Sequence, residues 1–444
     1  MPKKFTSKCD HTSICTSSSS HATVVGFKRE GKRQRLAATK ADNRLFTKED
    51  RLFLEEDIST FPAPLLLPGD DLAGEPEDPQ TFQQWIDGEH RNPITTKRKT
   101  IYVVPSPQID RDVDFIRKWK TPTYPNNEHQ VKPPGTEDVQ DYLSAFYHGL
   151  PVKLMPSSTL SFTAWKEPKK KSQKKAGSHY LGLNIEKECV RIRARTLPHG
   201  VYGGQVNLDD LLDVAISLLP KDAYALLMLV DFDLYEDEDD EFVCGRAYGG
   251  SRVAVVSSAR YNPSLDALQG IERLHAWPAS HCEKYMSECA SPGPTAKRQK
   301  TTQLKSRGSQ PPTLEVDGPL KDAIRVYRSL PEVVSSHESL SALWLGRVCR
   351  TASHELGHCF GIAHCVYYAC SMQGTASICE DARQPPYLCP VDLAKLLCAT
   401  STSASQRYQA LLAFCERPGN CDTHFFGPFA TWIRSRLGQI EDLS

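Results

Sequence analysis

The hydrophobic positions of this chain change period several times, and each change marks an element. Ile101-Tyr102-Val103-Val104 is a compact β-branched run of the kind that makes a buried strand. After a proline-rich stretch from Thr121 to Pro134, Val139, Tyr142, Leu143, Phe146 and Tyr147 recur at helical spacing. Gly149 ends that helix, and Pro151 to Met155 starts a second strand. Leu208, Leu211, Leu212, Ala215, Ile216 and Leu219 form an amphipathic helix, opened by Asn207 as N-cap and closed by Pro220. Ala225 to Val230 is apolar at every position, which predicts a strand buried on both faces. Asp231 to Tyr235 continues it into the acidic run Glu236 to Glu241, read as a solvated connection because the spacing and glycine of an EF-hand are absent. Phe242-Val243-Cys244-Gly245 and Arg252 to Ser257 predict two more strands, separated by Gly249-Gly250. Leu340, Leu343, Trp344, Val348, Ala352 and Leu356 then trace one face of a long helix. Leu393, Leu396 and Leu397 start another, and Tyr408, Leu411, Leu412 and Phe414 mark a third that ends before Pro418. Leu45 to Ile58 and Thr81 to Glu89 predict short helices near the N-terminus. Strands and helices interleaved in this way predict an α/β (α+β) fold.

Between these elements lie segments with no period. Residues 1–50 hold eleven Lys/Arg against five Asp/Glu and a four-serine run, which predicts a disordered basic tail over 1–44. Residues 163–176 carry six lysines, and residues 290–313 carry five basic residues, four prolines and no acid. Both read as solvated insertions, at about 163–178 and 286–316. The predicted organisation is therefore an N-terminal extension over 45–99, a main domain over 100–430 and a C-terminal tail over 431–444.

Charge changes little in this picture. Over 444 residues Lys plus Arg equals Asp plus Glu at 54 each, so no global field points to nucleic acid, and nucleic-acid binding rests on the short basic runs alone. No apolar stretch reaches the length of a membrane span, and the basic start Met1-Pro2-Lys3-Lys4-Phe5 lacks the apolar core of a signal peptide. An intracellular chain, cytoplasmic or nuclear and monomeric, is the expectation. Nine of the fifteen cysteines fall between Cys349 and Cys421. In a reducing compartment such clustering suits metal ligands and buried thiols better than disulfides.

The chemistry is concentrated in His354-Glu355-Leu356-Gly357-His358-Cys359-Phe360-Gly361-Ile362-Ala363-His364. His354 and His358, four residues apart on a helix, share a face and reach one cation. Gly361 allows positive φ, so the helix can stop and the chain can turn His364 back as a third nitrogen ligand. Three neutral imidazoles with one open position describe a catalytic zinc site rather than a closed structural one. Glu355, on the neighbouring flank, is placed to take a proton without being a ligand. Three core histidines satisfied by packing would need no such spacing.

This stretch, with Met372 following, resembles the metzincin metallopeptidases. Cys365, Cys370, Met372 and Cys389 narrow the resemblance to the archaemetzincins (archaelysins), in which four cysteines after the active-site helix hold a second, structural zinc. Here the position of the fourth cysteine is Asp392, with Cys379 as the alternative donor. The plain alternative is that the three thiols pack and Asp392 caps the helix beginning at Leu393. The resemblance spans roughly residues 100–415. It implies a metzincin-like zincin domain with a twisted, mixed five-stranded sheet, an active-site helix and a small C-terminal subdomain. It implies a zinc peptidase acting on peptide or protein substrates, with Met372 forming an apolar floor below the imidazoles. By the same analogy, Phe242 to Tyr248 is the edge strand that receives substrate. The competing function is a zinc-binding scaffold or regulator without catalysis.

Overall fold

The structure is a computed structural model and describes residues 9–39, 46, 50, 54, 60–70, 77–89, 91–123, 131–166, 178–185, 188–290, 317–331 and 336–441. In chain order the strands are β1 (Thr100–Val104), β2 (Gln108–Ile109), β3 (Val152–Leu154), β4 (Leu160–Ala164), β5 (Ser178–Ile185) and β6 (Glu188–Thr196). They are followed by β7 (Gly204–Asn207), β8 (Ala223–Val230), β9 (Asp233–Tyr235), β10 (Gly245–Tyr248) and β11 (Val253–Ser257). The helices are α1 (Ser20–Val24), α2 (Lys32–Ala38), α3 (Phe82–Ile86), α4 (Thr136–Phe146), α5 (Leu208–Leu218) and α6 (Glu283–Ala290). After them come α7 (Pro319–Ser329), α8 (His337–Cys359), α9 (Ile378–Arg383), α10 (Pro390–Thr400), α11 (Ala404–Cys415) and α12 (Phe426–Glu441).

The central sheet has five strands in the order β10-β11-β8-β1-β3, parallel except for β10, which runs antiparallel to β11. Its middle strand is the all-apolar one. Ala225, Leu227 and Leu229 face one core, while Leu226, Met228 and Val230 face another. This is the two-sided burial that an unbroken apolar strand requires. The first core takes Val348, Ala352 and Leu356 of α8, so the long helix lies on that face. The other face takes Leu211, Leu212 and Ala215 of α5, whose N-cap Asn207 accepts from Asp210 N as the sequence predicts.

A second sheet, in the order β2-β4-β5-β6-β7-β9, covers that other face and was not anticipated. Its signal was present. In β6, Ile192 and Ala194 are buried while Arg191 and Arg193 are exposed, an alternation of period two, and the partner β5 buries Leu181 and Leu183.

The predicted boundaries need correction at both ends. Residues 9–39 are not a solvated tail: Ile14, Cys15, Ala22 and Ala38 are buried, and Cys15 N donates to His281 O at 2.9 Å. In the extension, Phe61, Phe82 and Trp85 belong to the same core as the long helix. At the C-terminus α12 runs through the predicted tail, with Trp432 fully buried and stacked on Tyr387, ring centroids 4.3 Å apart. Residues 286–290, placed at the start of the second insertion, instead close α6 with Met286 buried. The first insertion is narrower than expected, since Thr163 and Ala164 close β4 and Ser178 opens β5; residues 167–177 and 291–316 lie outside the described residues, as does most of the helix expected over 45–58.

Candidate active site

The long helix α8 is held rigidly along its length. Ser336 caps it by accepting from Ser339 N. Arg347 forks onto both oxygens of Asp266 at 2.7 and 2.9 Å, and Arg350 bonds Asp381 at 2.6 Å and Gln384 O at 2.9 Å. Both guanidiniums are buried; the bidentate pairing of Arg347 and the carboxylate and carbonyl bonds of Arg350 offset their desolvation. The helix ends at Cys359, and Gly361 takes φ 76°, the left-handed conformation expected of it.

That turn brings His364 back over the helix. The rings of His354, His358 and His364 lie with centroids 4.7, 4.8 and 5.2 Å apart, and one nitrogen from each falls within a common 4.8 Å group. Each Nδ1 is already engaged: His354 with Ser371 O at 2.7 Å, His358 with Ile362 O at 2.8 Å, and His364 with Glu77 Oε1 at 2.6 Å. An acceptor on Nδ1 makes that nitrogen the protonated one and leaves Nε2 with a lone pair. The Nε2 atoms of His354 and His358 stand only 3.1 Å apart. Two lone pairs facing each other repel, whereas a tetrahedral ion with Zn–N bonds of ~2.0–2.1 Å holds two nitrogens at about that separation. The donor set therefore fits zinc.

The protonation states of His354 and His358 agree with this, and that of His364 is pulled the other way by Glu77. Burial and the neighbouring imidazoles hold His354 well below its ordinary value, and burial with His364 holds His358 down to about 4. For His364 burial acts downward too, but the bond and charge of Glu77 outweigh it and raise the ring. Glu355 stands outside the histidine group, in the wall of the same cleft. Burial pushes its carboxyl up to about 7.

Met372 is 1% exposed and lies under the helix where Gly357 leaves room: a Cβ on Gly357 would sit 2.5 Å from Met372 Sδ. Cys365 N donates to Met372 O at 2.7 Å, which closes the turn beneath the imidazoles.

The cleft above the histidines is open and about 690 Å³ in volume. One wall is β10, the edge of the central sheet, and the opposite wall includes Thr375 to Ile378. The segment before β10 is set by Arg260, which forks onto buried Asp233 at 2.8 and 2.6 Å and stacks over Phe242 at 4.0 Å.

Beside this centre Cys365, Cys370, Cys389 and Asp392 are all buried and form a second group within 4.8 Å. Asp392 Oδ2 lies 3.5 Å from Cys370 Sγ and 3.4 Å from Cys389 Sγ, while Cys365 and Cys389 Sγ are 3.5 Å apart. Asp392 does not cap its helix: α10 begins at Pro390 with Cys389 as N-cap, and the carboxylate turns to the thiols and to Lys395 Nζ at 2.9 Å. Burial, together with Cys365, pushes that carboxyl up to about 7. Cys379 is not in the group, and its thiol donates to Gln269 O instead.

The family model for Peptidase family M54 matches residues 333–397, from the approach to α8 to the first turns of α10. The chain is related to the archaemetzincins. Archaemetzincin-2 of Homo sapiens is 24% identical over 359 residues, covering 80% of this chain and 74% of that protein. Archaemetzincin-2 of Pongo abelii is 25% identical over 360 residues, with the same shares covered. The archaemetzincin crystal structure from Methanopyrus kandleri covers 68% of this chain and 96% of its own, at 16% identity and a TM-score of 0.29. The family match and these relatives support a metallopeptidase, a hydrolase acting on peptide bonds.

Sequence reading missed the residues that complete the site from afar. Glu77 is hydrogen-bonded to His364 across 287 positions. Gln80 receives Ala363 N and donates to Gly361 O, and Trp85 Nε1 donates to Phe360 O, so this segment clamps the histidine turn. Nothing in the local pattern of a proline-rich extension signals such a role.

Proposed function

We propose that the chain hydrolyses peptide bonds with a zinc ion held by His354, His358 and His364 and with Glu355 as general base and acid. One observation carries the reading: one nitrogen from each of His354, His358 and His364 converges in a cleft whose wall also holds Glu355, a half-buried carboxylate outside the histidine group. Zinc supplies Lewis-acid polarisation of the scissile carbonyl and makes water a nucleophile at neutral pH. Glu355, its carboxyl near 7, takes a proton from the attacking water and returns it to the leaving amine. Ser371 O, Ile362 O and Glu77 hold the imidazoles in the ligating tautomer. β10 receives the peptide as an added strand, with its backbone groups fixing the register.

The second centre is a structural zinc on Cys365, Cys370, Cys389 and Asp392. Three thiolates, one carboxylate and a dication leave two negative charges, of which buried Lys395 offsets one. The reading includes a monomer in an intracellular, reducing compartment, in keeping with cysteines placed as ligands rather than pairs.

Glu355→Gln tests the mechanism. Metal content should equal that of the wild type, while turnover of a peptide library falls by roughly 10²–10⁴-fold. Loss of the metal would make Glu355 a ligand, and undiminished turnover would remove it from the reaction.

A further inference from the structure

We infer that a third zinc site, made by Cys9, His11, His275 and Cys282, staples the N-terminal segment to the body of the protein. One donor atom from each of the four falls within a common 4.8 Å group, and His11, His275 and Cys282 are buried. Two thiolates and two imidazoles are a complete tetrahedral donor set with no open position, the composition of a structural zinc site. The site is distinct from the two centres around α8 and shares no residue with them.

Further features argue that this is more than four side chains packed together. Cys9 and Cys282 Sγ lie 3.3 Å apart, closer than two packed thiols need and far beyond a disulfide bond of ~2.05 Å. Neither ring nitrogen of His11 makes a hydrogen bond, although the residue is only 4% exposed. A buried imidazole without a partner is costly, and a metal removes that cost. Glu272 Oε1 stands 3.0 Å from Nδ1 of His275, an acidic neighbour close enough to favour a cationic centre there. Tyr285 stacks on its ring at 4.1 Å and fixes the orientation.

The backbone around the site shows what the staple holds. Ile14 bridges Cys282, Cys15 N donates to His281 O and Glu283 N donates to Ser13 O, a short ladder beginning two residues after His11. Farther along the same segment Thr16 O accepts from Ala63 N and from Arg29. Arg29 also donates to Phe61 O and to Tyr367 O, and Tyr367 lies two residues from Cys365. Zinc at this third site thus anchors a strap that reaches the loop between His364 and Met372.

The proposal does not rest on the peptidase reading, and its test reads metal rather than turnover. Full-length protein is loaded with zinc, dialysed and analysed for zinc per chain. The pair Cys9→Ser and His11→Ala should each lose one equivalent relative to wild type, whatever number the wild type carries. Cobalt-loaded wild type should likewise lose thiolate-to-cobalt absorption in Cys9→Ser. Should either variant fold poorly, the wild type alone decides by iodoacetamide mapping. Cys9 and Cys282 should be at least tenfold less labelled with zinc than after chelation. An unchanged zinc count in both variants, equal labelling with and without zinc, or recovery of Cys9 and Cys282 as a disulfide in zinc-loaded protein would each overturn the site.

Discussion

At the scale of single residues the candidate site is decided by what stands behind the ligands. His364 is the candidate ligand that the turn after α8 brings back, and Glu77 is the group that holds its Nδ1, at 2.6 Å. Removing such an outer partner typically lowers metal affinity 10–100-fold, so Glu77→Ala should weaken zinc retention by that factor in competition with a chelator. Retention equal to wild type would reduce Glu77 to a surface contact. Asp392 makes the sharper case. Its carboxylate faces Cys370 and Cys389 and not the backbone N–H groups of its helix, so a capping loss of about 1 kcal/mol is not its main effect. Asp392→Ala should lose one zinc per chain, whereas Cys379→Ser, whose thiol bonds Gln269 O, should keep the full count. A wild type with no metal at the three-cysteine centre would sink the second zinc.

At the scale of elements the site depends on one helix stopping at the right residue. Continuing α8 past Phe360 would carry His364 around the helix and away from its partners. Gly361 ends it at φ 76°, and an added Cβ there would meet Arg91 Cγ at 3.3 Å. Gly361→Ala should therefore cost ~1–2 kcal/mol from the left-handed backbone alone. It should lower zinc affinity as well as the unfolding midpoint in urea. A variant that loses stability but binds zinc normally would separate the turn from ligand placement. The sheet makes a complementary contribution. The βαβ passages put β8 in the centre, and the antiparallel return leaves β10 as the edge beside the histidines.

At the scale of the whole molecule the active-site layer is stabilised from both ends of the chain. The segment carrying Gln80 and Trp85 clamps the histidine turn, and α12 closes the core beneath it. Trp432 is fully buried between Tyr387, Phe61 and Tyr408, and Tyr387 is two residues from Cys389. Trp432→Ala should cost ~3–5 kcal/mol in urea unfolding, as truncation of a large aromatic in a core does. A dispensable C-terminal tail would give no measurable change.

The sequence alone carried the parts of this protein that are written in short periods. Spacing of four on one helix joins His354 and His358, a glycine at a fixed offset returns His364, and an unbroken apolar run makes β8 the buried middle strand. Such features need only the geometry of one element, so they can be read without knowing what packs against it. Asp392 and Cys379 were both open as fourth donors, because sequence spacing does not say which way a side chain at the start of a helix turns. The tertiary structure places the Asp392 carboxylate against two thiols and a buried lysine and turns Cys379 to Gln269 O, which is why Asp392 is the donor proposed. The same holds for Glu77 and His364, and for Cys9 and Cys282, which meet across 287 and 273 positions. Composition made the N-terminal stretch look like a solvated tail, since a segment that buries its few apolar residues against a distant surface shows no amphipathic period of its own. That burial is energetically available only once the rest of the chain has formed the surface, and no local pattern records it.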